Sequence, residues 1–352
     1  MGFFALCFFR WFGWCLTQDK VTVLTINYDN GFCGAGLLGS CLKLLDAILP
    51  WNLMQYEVCY VVTVVGTILY HALLIAVVCT FLKLYQGRGK SSLMLLGLLV
   101  VGMPMFLSSG SFGAVEMYFM ILVWSCLLLM LWERVLFLVP LLCGLGMLIS
   151  GEFFFEALPI VLSILWLTYC LKENESCRKM FWTTLLLCMV LLVITEIANT
   201  QSMDFRADEM FSLGKMLADP QYEYKESRVA YGLLTQSVFA NEKAFAKAFT
   251  ATDILRGMLA LSYFGLLARL LYQKSKLGRV RRAMYAVILC LPLVAVIPLF
   301  FKIDYGMMAY SMAICCLLSG IYLEGCLGES EKRAYGMGEW LWLICPLLLM
   351  PF

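Results

Sequence analysis

The chain has 352 residues, 62% of them hydrophobic and 14% charged, with a formal net charge of +2 and a mean hydropathy of +0.85. Soluble domains carry roughly 25% charged residues, so this composition excludes a surface that faces water alone. The small net charge, with no basic arm and no basic stretch interleaved with aromatics, argues against nucleic acid as a partner.

The apolar residues come in long runs rather than at a 3.6-residue period, the pattern of helices facing lipid or a bundle interior. Backbone N–H and C=O groups in hydrocarbon must pair within the chain, so such runs are read as helices. The alternating segments of about ten residues that a transmembrane barrel needs are absent from the sequence. In chain order the runs predict helices near 2–17, 58–84, 92–108, 114–132, 135–150, 153–171, 181–199, 254–272, 283–301, 307–324 and 340–352. The expected fold is therefore all-α, a polytopic transmembrane bundle of about eleven helices with a small extracytoplasmic helical insertion. The first run contains Arg10 and no small-residue cleavage site, so it reads as an anchor and not a removable signal. The last is short for a crossing, either a partial span or one cut by the end of the sequence at Phe352.

Orientation follows from the basic residues. With the N-terminus inside, the interior loops collect Lys83, Arg88, Lys90, Arg134, Lys172, Arg178, Lys179, a dense cluster from Arg269 to Arg282, Lys332 and Arg333. The short exterior loops hold only Lys20, Lys43 and Lys302, an asymmetry that points to a cytoplasmic N-terminus. The expected organisation is N-terminal membrane helices over 1–199 with a first exterior loop at 18–57, an extracytoplasmic helical insertion at 200–253, and C-terminal membrane helices over 254–352. Within the first loop, residues 37–49 put Gly39, Ser40, Lys43 and Asp46 on one helical face and Leu38, Leu42, Leu45 and Leu49 on the other. That pattern predicts a short helix lying in the membrane interface, ended by Pro50, with the start of a re-entrant or buried segment as the alternative.

Several chemistries have no residues to support them. No phosphate-binding loop, dinucleotide fingerprint or nucleophile elbow occurs, and the single histidine, His71, rules out a His-pair zinc site. A lone histidine in a helix is expected to be hydrogen-bonded to a neighbouring helix, with a polar functional role at membrane depth as the alternative. The sixteen cysteines form no C-x-x-C pair and lie mostly in apolar runs, where they act as small hydrophobes. Cys33 and Cys41 alone fall in an exterior loop where a disulfide is conceivable.

The acidic residues carry more information. Asp29, Glu116, Glu152, Glu156, Glu196 and Asp304 fall at the exterior ends of predicted helices. A carboxylate near lipid is costly, so these groups are expected either to solvate helix ends singly or to share a wet cavity. A shared group of carboxylates can hold a divalent metal ion or supply a general base. Asp29 lies in the glycine-rich NYDNGFCGAGLLGS, Glu152 in SGEFFFEALP and Asp304 in FFKIDYG. Lys302 and Arg256 are the cations on this face that could meet a phosphate.

Taken together, D-x-G-F-x-x-x-G-L-x-G from Asp29, G-E-F-F-F-x-x-x-P from Gly151 and I-D-Y-G from Ile303 resemble a group of bacterial membrane proteins associated with surface-polysaccharide genes. Three basic residues of that pattern are replaced here by Ala35, Gly151 and Met307, which weakens the expected phosphate binding. The layout is also similar to GT-C-class glycosyltransferases, which have an acidic catalytic residue in a first exterior loop. The resemblance implies transfer of a sugar from a polyprenyl-phosphate carrier to a glycan or lipid acceptor, outside the bacterial cytoplasmic (inner) membrane. On that basis Asp29 is the expected base and Glu152 a second catalytic carboxylate. Glu116, Glu156, Asp304, Lys302 and Arg256 would line the substrate site, and the helix at 37–49 would guide the membrane-borne carrier. The alternatives are a polymerase or ligase of undecaprenyl-linked glycans and a glycolipid transporter or flippase. Transport predicts inverted repeats and polar residues at the helix midplanes.

Overall fold

A computed structural model of the chain describes Leu24, Tyr28 and residues 36–49, 56–84, 115–132, 135–201 and 314–322. The described residues are helical and contain no strand. Helix α1 spans Leu37–Ile48, α2 Tyr56–Leu84, α3 Val115–Leu131, α4 Leu138–Ile149, α5 Phe153–Glu156, α6 Leu158–Lys172 and α7 Glu175–Gln201. A further helix, α8, occupies 314–322. The predicted helices at 2–17, 92–108, 254–272, 283–301 and 340–352, and nearly all of the 200–253 insertion, lie outside the described residues.

Two segments, Tyr60–Phe81 in α2 and Glu175–Ile197 in α7, are long and apolar enough to cross a membrane. Helices α3, α4 and α6 are apolar but shorter. The 12 residues of α4 rise about 18 Å, less than the roughly 30 Å of a hydrocarbon core. The single helix expected over 153–171 is instead two, α5 and α6, broken at Ala157. The cause is Pro159, whose ring would collide with the carbonyl four residues earlier in an unbroken helix. Placed at the second position of α6, it starts that helix instead.

Contacts between helices set their directions. Across α3 and α4, Cys126 lies beside Cys143, and just past the end of α4 the Phe153 ring meets that of Phe119 at 5.3 Å. The pairing order reverses, so α3 and α4 are antiparallel. Trp166 against Phe181 at 5.1 Å and Tyr169 under Arg178 at 5.5 Å make α6 and α7 antiparallel in the same way. By contrast, Ser163 pairs with Cys315 at 3.1 Å and Thr168 with Tyr322 at 2.9 Å, so α8 runs parallel to α6. These buried hydroxyl and thiol contacts are of the kind that holds apolar helices together where no hydrophobic effect acts between them.

The core sits where α3, α4 and α6 meet, with Phe119, Trp124, Phe153, Val139 and Leu165 excluded from solvent. Small residues allow close approach: a Cβ on Gly66 of α2 would lie 2.8 Å from Met117 of α3. The start of α3 therefore packs against the body of α2, well inside that helix's ends. Apolar side chains remain exposed in stripes, on α2 at Val61, Val65, Ile68 and Leu69, and on α7 at Trp182, Leu186, Met189, Val193 and Ile197.

Charge divides between the two ends of this bundle. Glu116 opens α3, and Glu152 and Glu156 occupy the turn between α4 and α6. At the opposite end, the turn between α6 and α7 exposes Lys172, Arg178 and Lys179 beside Glu173 and Glu175. Glu173 closes α6 in the left-handed conformation (φ 56°). Arg178 and Glu175 pair there at 2.8 Å, both substantially exposed.

Candidate carboxylate site

Helix α4 ends when Ser150 turns extended, with its N–H still donating to Gly146 O at 3.1 Å. The Ser150 hydroxyl accepts a hydrogen bond from Glu152 N at 3.3 Å, and Ser150 O accepts one from Phe153 N at 3.1 Å. These bonds start the single turn of α5, closed by Glu156 N donating to Glu152 O at 3.0 Å. Glu152 and Glu156, four residues apart on one helical turn, therefore share a face. Phe153 points the other way, its ring against Gly146 and Phe119 in the core.

Because α3 runs antiparallel to α4, its first turn arrives at this same place and brings Glu116. One carboxylate oxygen from each of Glu116, Glu152 and Glu156 lies within 4.8 Å of the others. Glu156 is buried at 1% exposure, while Glu116 and Glu152 are half-buried. Two ionised carboxylates at that separation repel by roughly 3–4 kcal/mol at an effective dielectric near 20. The arrangement is favourable only with a cation, a shared proton or hydrogen-bond donors among the oxygens. Its chemical options are accordingly cation binding and proton transfer.

Helix α1 borders this region, with Leu37 and Leu38 packed against the main core. Its buried side carries Gly39 and Leu42, and Leu42 packs with Leu24 in a cluster that also includes Val58, Val62 and Tyr118. A second part of its apolar arc, Cys41, Leu44, Leu45 and Ile48, is exposed, while Lys43 and Asp46 lie on the polar side. Gly39, assigned to the polar face from sequence, is buried together with Leu42, so the buried side draws on both faces, and the apolar face is shared between the protein and its surroundings. Cys41 carries a free thiol.

Of the residues singled out from sequence, Glu116, Glu152 and Glu156 are brought together. Glu196 is nearly buried towards the end of α7. Asp29, Arg256, Lys302 and Asp304 lie outside the described residues, as does Cys33. His71 sits in α2, where its Nδ1–H donates to Thr67 O of the same helix at 2.7 Å, and its ring meets Tyr70 edge-on. Sequence reasoning missed Tyr28. Its N–H donates to Ser40 Oγ at 2.8 Å and its hydroxyl to Leu148 O at 3.2 Å. No local pattern signals a contact 120 positions away, although its place beside Asp29 in the NYDNGF stretch was visible. Compared with known proteins, the chain matches no family model, no curated protein and no solved structure.

Proposed function

We propose that this chain is a multi-pass protein of the bacterial cytoplasmic membrane, acting as a GT-C-like glycosyltransferase on the extracytoplasmic face. It transfers a sugar from a polyprenyl-phosphate carrier to a glycan or lipid acceptor. The observation that carries the proposal is the convergence of Glu116, Glu152 and Glu156 at one end of an apolar helical scaffold. Acidic groups are costly in such surroundings and are retained there for function by default.

In the proposed reaction a carboxylate, Asp29 or Glu152, takes the proton of the acceptor hydroxyl. The freed oxygen attacks the anomeric carbon, and the bond from that carbon to the phosphate oxygen breaks, leaving the electron pair on the polyprenyl phosphate. Three carboxylate oxygens are hard donors that fit Mg²⁺ or Mn²⁺. Such an ion, when bound, would offset the charge on the phosphate leaving group. Glu156, the most buried of the three, would anchor it, with Glu116 and Glu152 completing the donor set. The exposed apolar stripe of α1 gives the carrier's hydrocarbon chain a surface beside the site. The segregation of acidic and basic ends supports the orientation, and the parallel course of α6 and α8 supports the count of crossings between them, since strict alternation of the predicted spans requires it.

The test is sugar transfer from a radiolabelled polyprenyl-phosphate sugar in membranes containing the full chain, with Asp29→Ala and Glu152→Ala alongside. The substitution that removes the base is expected to lower transfer by at least about 100-fold. Transfer that survives both substitutions unchanged refutes the assignment.

A further inference from the structure

Helix α4 has a C-terminal problem that its own sequence does not solve. The last carbonyls of a helix have no intrahelical donors, and the chain leaves helical geometry at Ser150. Ser150 N serves Gly146 O, while Glu152 N turns to the Ser150 side chain, so neither supplies Leu148 O. That carbonyl instead accepts from the hydroxyl of Tyr28, at 3.2 Å. Tyr28 is itself tied down: its N–H donates to Ser40 Oγ on α1 at 2.8 Å, and Leu24, four residues earlier in the chain, is 1% exposed in the cluster with Leu42. The three anchors reach α1, the α1–α2 apolar cluster and the end of α4. The last of these lies four residues before Glu152 and eight before Glu156.

We infer that Tyr28 is a positioning residue for the acidic turn at 150–156, clasping the end of α4 to α1 and so setting Glu152 and Glu156 against Glu116. The ring and its backbone bond to Ser40 locate the hydroxyl, and the hydroxyl fixes the point from which the turn departs. Removing only the hydroxyl leaves the other two anchors intact and releases Leu148 O, so the turn gains freedom without loss of the surrounding packing. The inference concerns the same site as the proposed function and rests on it where cation binding is used as a readout.

The full-length chain in lipid nanodiscs is compared as wild type, Tyr28→Phe, Tyr28→Ala and Ser40→Ala. Amide hydrogen exchange is expected to rise by roughly tenfold across 150–157 in Tyr28→Phe, the scale of one lost hydrogen bond, and to stay unchanged across 181–194. Mn²⁺ titration followed by electron paramagnetic resonance is expected to show weaker binding in Tyr28→Phe by a similar factor, at an unaltered thermal midpoint. Tyr28→Ala should exceed Tyr28→Phe in both readouts, and Ser40→Ala should reproduce part of the effect. Unchanged exchange at 150–157 in Tyr28→Phe overturns the inference, as does raised exchange with undiminished Mn²⁺ binding. If the wild type takes up no Mn²⁺, the cation element of the proposed function fails, and the clasp then stands or falls on the exchange data alone.

Discussion

Gly146→Ala is the substitution that most directly probes how the acidic turn is held. A Cβ at this position would lie 2.5 Å from two atoms of the Phe153 ring and 2.8 Å from a third. Ordinary carbon contacts sit near 3.5–4.0 Å, so the ring must retreat by about 1 Å. It has little room, being wholly buried and in edge contact with Phe119. Overpacking of this kind costs about 1–3 kcal/mol, against a gain of up to about 1 kcal/mol from replacing glycine in a helix. The net expectation is a loss of about 0–3 kcal/mol, with Phe153 displaced and Glu152 beside it carried along. Thermal unfolding of the purified chain gives the stability, and Mn²⁺ affinity reports the carboxylates. Phe153→Leu should relieve the clash, so the double variant should recover about 1–2 kcal/mol relative to the sum of the single changes. If Gly146→Ala alone raises stability, and Phe153→Leu adds to it without coupling, the packing argument is wrong.

Three further outcomes are expected. Glu156→Gln removes the most buried of three mutually repelling carboxylates, so it should weaken Mn²⁺ binding at least tenfold without lowering the thermal midpoint; a lower midpoint with intact binding counts against a cation role. Thr168→Val and Tyr322→Phe each break the 2.9 Å bond between α6 and α8, and a double-mutant cycle should return a coupling of about 0.6–1.5 kcal/mol; a value near zero would mean the contact holds nothing. On α1, cysteines introduced singly at 44, 45 and 48 in a cysteine-free background should resist a water-soluble maleimide in liposomes, while one at 43 reacts readily; equal labelling at all four positions would contradict a lipid-facing stripe.

How much of this was visible in the residues can be judged element by element. The run at 58–84 gave α2 to within two residues, and 114–132 gave α3 to within one, because unbroken apolar stretches leave little choice of secondary structure. The break at Ala157 was legible too, since Pro159 forbids a continuous helix, yet the hydrophobicity of SGEFFFEALP hides it from a reading based on apolar runs. Glu152 and Glu156 are four residues apart and could be paired from spacing alone. Their meeting with Glu116 could not be, because it depends on the antiparallel packing of α3 on α4, fixed by contacts such as Phe119 with Phe153. Tyr28 was out of reach for the same reason. Its partner is a backbone carbonyl, which every residue possesses and no motif marks. On α1 the sequence placed Lys43 and Asp46 opposite the leucines, but the burial of Gly39 with Leu42 and the split of the apolar arc between Leu42 and Leu44 are properties of the neighbours it packs on.

The separation of charge along the bundle has an electrical consequence. With Glu116, Glu152 and Glu156 at one end, and Lys172, Arg178 and Lys179 outnumbering Glu173 and Glu175 at the other, the scaffold with its carboxylates ionised carries a net charge separation along its axis. In the proposed orientation its negative pole faces outward and its positive pole faces the negative interior of an energised membrane. Each unit charge displaced across the full potential is worth about 2.3 kcal/mol per 100 mV, so the resting field favours that proposed orientation. A cation reaching the cluster from outside would enter the field only as far as the carboxylates are recessed beside α2. Its affinity should therefore shift with membrane voltage in proportion to that depth, which makes voltage a ruler for where the site lies.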